Sequence, residues 1–332
     1  MADNHNGLLV LSASGRFGKL PLGLGEVDFI PSLIRDEEGN IWAAKSDGLF
    51  RIRPTLFRNY SIEDGLTSPW IDSVAKDHNG DIWVAAGGNV YRLHRKTETF
   101  HRIKVYGKLE ALHLFPLSEG RMLIAGKNGS PQVWSARGIS RLPKCGQVNR
   151  VVEDPNGRTW IAHRNGLSLL EGDHLTRIPV SSPTASERVE DVRVDSTGTV
   201  FVIVYNVGVF QQTADGWTNL SNPDVSWTNH ITSLFIDEED QLWGSTRGNH
   251  LAYYEDGSWK VSPAVMSQYS LGLRSVWSDR NGFLWIPSYR GLHQFERSFA
   301  LGHTQPDEPR NRTFHVEDGL GSSRLTNSSS GI

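Results

Sequence analysis

Short runs of alternating apolar and polar residues, broken every few positions by Gly, Asp or Asn, dominate this chain. One such run, around Ile30, Leu33 and Ile34, leads into Asp36-Glu37-Glu38-Gly39-Asn40-Ile41-Trp42, with Gly48-Leu49 and Phe50-Arg51-Ile52 beyond. Alternation with a period of two predicts three strands joined by two tight turns. Asp36 can accept hydrogen bonds from the turn backbone, and Gly39 can take the positive φ that closes a short hairpin. Trp42 then projects from the second strand as a large apolar anchor. A single hairpin cannot bury it, so the chain must supply neighbours.

It supplies them by repetition. Large residues at equivalent positions are Trp42, Trp83, Leu123, Trp160, Phe201, Trp243 and Trp285, spaced 41, 40, 37, 41, 42 and 42 residues apart. The turns before them read Asp77-x-x-Gly80, Asp154-x-x-Gly157, Asp195-x-x-Gly198 and Asp279-x-x-Gly282. Asp237-x-x-Asp240 keeps the spacing, and Ser118-Glu119-Gly120 departs from it. A period of about forty with strand-type content predicts radial blades. The expectation is an all-β β-propeller of four-stranded blades, seven-bladed, with residues 1–332 forming one domain. Asn6–Leu11 matches Asn165–Leu170 inside a repeat, and Phe314–Leu320 repeats Tyr60–Leu66. Both ends therefore read as cut through a repeat, as in a piece of a longer protein.

These units resemble the two-component regulator propeller repeat. The resemblance rests on the first strand, Asp-x-x-Gly-x-x-Trp, the later Gly-Leu and the linkers Glu63–Leu66 and Glu317–Leu320, and covers Asn6 to about Leu320. It implies the extracytoplasmic sensor region of a histidine kinase, hybrid two-component or diguanylate cyclase receptor. Such a region is periplasmic or extracellular, binds a ligand that is frequently an oligosaccharide, and pairs through its parent receptor. No kinase or cyclase segment is present to deliver the output.

Composition narrows the alternatives. A net charge of −3 provides no basic field, which argues against nucleic acid as a partner. No apolar run is long enough to insert this chain in a membrane, and Met1–Gly7 lacks the features of an export signal. Cys145, the single cysteine, permits no internal disulfide. The repeated Asp turn places its glycine too early for a calcium loop, so neither metal nor cofactor is expected.

Ligands are expected where the units differ, at the loops entering the first strands and joining second to third strands. The candidates there are Lys45, Trp70, Arg150, His163, Arg164, Tyr205, His230, Arg247, Arg274, Tyr289 and Arg290. Guanidinium forks and aromatic faces suit an acidic sugar, by pairing with the acid and stacking on the ring. The expected role is non-catalytic. Two alternatives stand beside it: a protein-interaction scaffold, and a lyase using His230 and His250, with Arg247 or Arg274 neutralising a substrate carboxylate.

Overall fold

In the computed structural model, each Asp of the repeat closes its turn with one carboxylate oxygen and holds the anchor with the other. Asp77 Oδ1 accepts from the Asn79 and Asp81 N–H groups, while Oδ2 accepts from Trp83 Nε1 at 2.9 Å. Asp154 does the same for Asn156, Arg158 and Trp160 Nε1. Asp237 serves Glu239, Gln241 and Trp243, and Asp279 serves Asn281, Phe283 and Trp285. Asp195 keeps only the turn half, because its anchor, Phe201, has no N–H to offer. Gly80, Gly157 and Gly282 take φ of 78°, 78° and 80°. Asp240, in the same slot, takes φ 59° and compensates by accepting from Ser196 of the preceding blade.

The structure describes residues 2–3, 7–11, 17–19, 32–37, 41–45, 48–52, 59–94, 97–107, 110, 112–172, 174–180, 188–222, 224–246, 250–263, 276–288, 291–303, 312–315 and 318. The chain divides into two compact units, Met1–Arg58 and Asn59–Ile332. The first contains two three-stranded sheets, one of Ala2–Asp3, Gly7–Leu11 and Phe17–Lys19, the other of Ser32–Arg35, Ile41–Lys45 and Gly48–Ile52.

The second unit contains six four-stranded antiparallel blades, each a meander in chain order, with anchors Trp83, Leu123, Trp160, Phe201, Trp243 and Trp285. Their innermost strands begin at Ile71, His113, Val148, Val189, Ile231 and Trp277. Helix among the described residues is limited to Arg297–Ala300 and short 3₁₀ turns, and no helix there is long and apolar enough to cross a membrane. Apolar clusters lie between successive blades. Ala75, Trp83 and Val90 pack with Leu112, Leu114 and Met122, and Trp243 and Tyr253 pack with Leu284 and Phe295.

The expected count of seven four-stranded blades is corrected to six. The Trp42 repeat has its turn bond, from Trp42 Nε1 to Asp36 Oδ2 at 2.8 Å, but pairs only three strands among the described residues. Leu49 is 65% exposed, whereas its equivalents Val90, Leu167, Val209 and Leu251 are fully buried at 0%. The hairpin is specified locally and forms. A blade additionally requires both faces to be covered, and this sheet's Leu49 and Ile34 remain exposed.

A second device joins the blades. A register shift in the innermost strand occurs at Ile71/Ser73, Val148/Arg150, Val189/Asp191 and Ile231/Ser233, as a β-bulge would give. The side chain after the shift reaches the next blade: Ser73 Oγ accepts from Leu114 N–H at 3.0 Å, and Asp191 Oδ2 from Leu234 N–H at 2.9 Å. The Leu123 repeat, which lacks the Asp turn, is tied differently. Glu153 of the next blade accepts from Ser118 and pairs with Arg121 at 3.0 Å.

Replacing Asp154 by alanine leaves the buried Trp160 Nε1–H and two turn N–H groups without their acceptor. The expected cost is about 2–4 kcal/mol, measured by denaturant unfolding, with Asp154→Asn falling between.

Candidate functional site

The two loop sets expected to carry ligand contacts do share one end of each blade. Val148 pairs with His163 and Val189 with Val204, so the start of a first strand adjoins the end of a second. A repeated backbone bond ties the loops together there: Lys127 N–H donates to Glu110 O, Arg164 N–H to Gln147 O, and Tyr205 N–H to Arg188 O. Arg164 and Tyr205 thus occupy equivalent positions on neighbouring blades, with exposed side chains. The Arg188 guanidinium lies 4.7 Å from the Tyr205 ring centroid. Trp70, 80% exposed, precedes the innermost strand of the Trp83 blade. His230 ends the 3₁₀ turn Ser226–His230 and is exposed, at the same end of its blade as His250.

Two of the expected residues turn inward. His163 is buried, its Nδ1 accepts from Asn165 N–H at 3.2 Å, and its Nε2 lies 2.8 Å from Ser168 Oγ. Because Nδ1 is an acceptor, the proton sits on Nε2 and is donated to Ser168. Burial, aided by the Arg177 charge, pushes His163 down to about 4. Arg150 is also buried and donates from Nε to Asp191 Oδ1 at 3.0 Å. Lys45 ends the strand Ile41–Lys45, and its side chain lies outside the described residues. Arg247, Arg274, Tyr289 and Arg290 lie outside them altogether.

A cavity of about 610 Å³ lies at the other end of the innermost strands. Its walls include Phe115, Arg150 and Arg193, and its rim Ser118, Glu153 and Asp195. Of the expected site residues whose side chains are described, only Arg150 reaches it. Burial opposes ionisation of Asp191, yet the Arg193 and Arg150 charges and the Leu234 N–H bond outweigh it and hold this carboxyl below its ordinary value. Burial, with the Arg150 charge beside it, pushes Arg193 down to about 10 despite Asp191, so it stays protonated at neutral pH. His113, on the preceding blade, is pushed down by burial and by the Arg150 charge. Among the described residues, no group of His, Cys, Asp and Glu side chains is placed to hold a metal ion.

Arg193 was not among the expected residues, although its signal is present in the sequence. Eight residues before each anchor stand Ile34, Ala75, Phe115, Val152, Arg193, Phe235 and Trp277. One charged residue in an apolar column marks a strand position that packing alone does not explain.

Six four-stranded blades packed on one another through their apolar faces define a β-propeller. No protein-family model and no curated protein matches the sequence. Solved structures do match. The extracellular domain of BT3049 from B. thetaiotaomicron, described as a hybrid two-component system, has a TM-score of 0.74 at 19% identity, covering 97% of this chain and 46% of that one. The extracellular domain of BT4673 from the same organism has a TM-score of 0.63 at 16% identity, covering 92% of this chain and 48% of that one. Virginiamycin B lyase from Staphylococcus aureus has a TM-score of 0.56 at 13% identity, covering 77% and 90%. At these identities the likeness establishes the fold, which the two extracellular domains and the lyase share. The chain spans about half the length of these two extracellular-domain structures.

His163 generates a pH prediction. Its folded pKa of about 4 lies below the ordinary 6.5, so between these values the unfolded chain binds a proton that the folded chain refuses. Stability should therefore be complete above about pH 6.5 and fall towards pH 4, with His163 contributing about 3 kcal/mol of the loss. Denaturant unfolding of His163→Gln should show a shallower decline over that window than the unsubstituted chain.

Proposed function

We propose that this chain is the non-catalytic, ligand-recognising propeller of a bacterial signalling receptor, placed outside the cytoplasm, and that its ligand is an acidic oligosaccharide. The observation that carries the reading is the pair Arg150 and Arg193, which line a cavity and share the single carboxylate of Asp191 behind them, in a propeller otherwise built on apolar faces. The fold likeness to two extracellular domains of signalling proteins supports the sensory part. Lining the far end of the blades, exposed Trp70, Tyr205 and Arg164 offer stacking and cationic contacts for further sugar units. In this reading the ligand favours one arrangement of receptors, paired as homodimers, over another, and that bias is the signal.

A lyase reading has one observation in its favour, the propeller fold shared with virginiamycin B lyase. It would place the chemistry on His230 and His250, which share one end of the Trp243 blade. Turnover of any bound ligand, lost in His230→Ala, would replace the sensor reading with this one.

The test is a thermal-shift screen against uronic-acid, sulfated and neutral oligosaccharides. Acidic members are expected to raise the unfolding midpoint in proportion to occupancy and to be recovered chemically unchanged. A response to neutral oligosaccharides alone would overturn the acidic assignment.

A further inference from the structure

Ten residues before each anchor, the position that follows the register shift in four of the blades, the sequence reads Ser32, Ser73, His113, Arg150, Asp191, Ser233 and Ser275. Serine is the rule, and the three departures are ionisable and fall on successive blades. Arg193 adds a fourth ionisable residue on the last of these. Two guanidinium groups consequently share one carboxylate. Arg150 Nε donates to Asp191 Oδ1 at 3.0 Å, and Arg193 Nε stands 3.4 Å from the same oxygen. Asp191 Oδ1 also accepts from Val192 N–H, while Oδ2 accepts from Leu234 N–H and Ser233 Oγ. The carboxylate is saturated. Arg193 Nε is buried, and its 3.4 Å ion pair with this shared oxygen falls short of hydrogen-bond geometry.

The acidic residues at the rim do not supply Arg193 with a second carboxylate. Glu153 is engaged by Ser118, Arg121 and Thr159, and Asp154 by its turn, Arg158 and Trp160. Asp195 is engaged by Thr197 and Thr199. A guanidinium whose Nε is buried and only loosely paired weakens the blade that carries it, so a packing role does not account for Arg193, whose side chain is 19% exposed.

We propose that this cavity is an anion subsite, in which Arg193, with Arg150 beside it, receives the carboxylate or sulfate group of a ligand. A planar guanidinium fork matches either group through charge-assisted hydrogen bonds. The subsite stands on this geometry. Only its assignment to an acidic sugar rests on the sensor reading.

The experiment measures the unfolding midpoint of the whole chain in glucuronate, in sulfate and in glucose, with sodium chloride equalising ionic strength. Glucuronate or sulfate is expected to raise the midpoint saturably, and glucose to leave it unchanged. The two anions together separate a carboxylate from a sulfate preference. Arg193→Met restores the apolar column, so it is expected to unfold at a higher midpoint without anion and to lose the anion-dependent shift. Arg193→Lys keeps the charge but loses the fork, and should weaken anion affinity about tenfold. It also serves as the informative variant if Arg193→Met does not fold. Equal anion shifts in the unsubstituted and variant chains, or no shift in the unsubstituted chain, would overturn the subsite. A shift from glucuronate that depends on Arg193, with no response to any acidic oligosaccharide, would uphold the subsite and remove the sugar reading.

Discussion

One carboxylate that serves two masters, a turn and an indole, underlies this structure. A short hairpin fixes only its own backbone, and an indole buried without a hydrogen-bond partner weakens the core around it. In four blades of the second unit the turn Asp solves both problems, so the same side chain that closes the hairpin aims the tryptophan into the space between blades. Local closure and long-range packing are thereby linked through two oxygen atoms. Where the link is broken the structure substitutes for it. Phe201 needs no partner, and the Leu123 blade borrows Glu153 from its neighbour.

Much of this was legible in the spacing of residues, and the reason is physical. A turn needs Asp and Gly at fixed offsets, and an anchor needs bulk at a fixed distance beyond, so position alone reveals both. The indole–carboxylate bond was not legible, because an acid before a glycine is already explained by the turn. The blade count was read one too high for a related reason. The Trp42 repeat carries every local signal, yet its described residues pair only three strands, and no local signal reports that. Sequence repeats count hairpins; covered faces count blades.

The site was less legible than the fold. The loop ends were the natural place to look, and Arg164, Tyr205 and Trp70 are indeed exposed there. Treating strand interiors as core hid Arg193, and a loop-entry reading of Arg150 missed that the bulge turns it into the cavity wall. His163, expected at the surface, is drawn in by Ser168, since both hydrogen-bonding capacities of its ring are met within its own blade. In each case the residue type was informative and the direction of the side chain decided its role.

The bulge position has a consequence for how such a channel can change. At Arg150 the side chain is a piece of the cavity wall and a joint between blades at once. Where Ser73 simply accepts an amide from the next blade, Arg150 has no lone pair to give. The amide of Val192 is met instead by Asp191, which also meets that of Leu234. Arg150 is therefore tolerable only because Asp191 stands beside it. A change of side chain at this point of the wall cannot come one residue at a time, and has to proceed by paired substitutions on adjacent blades.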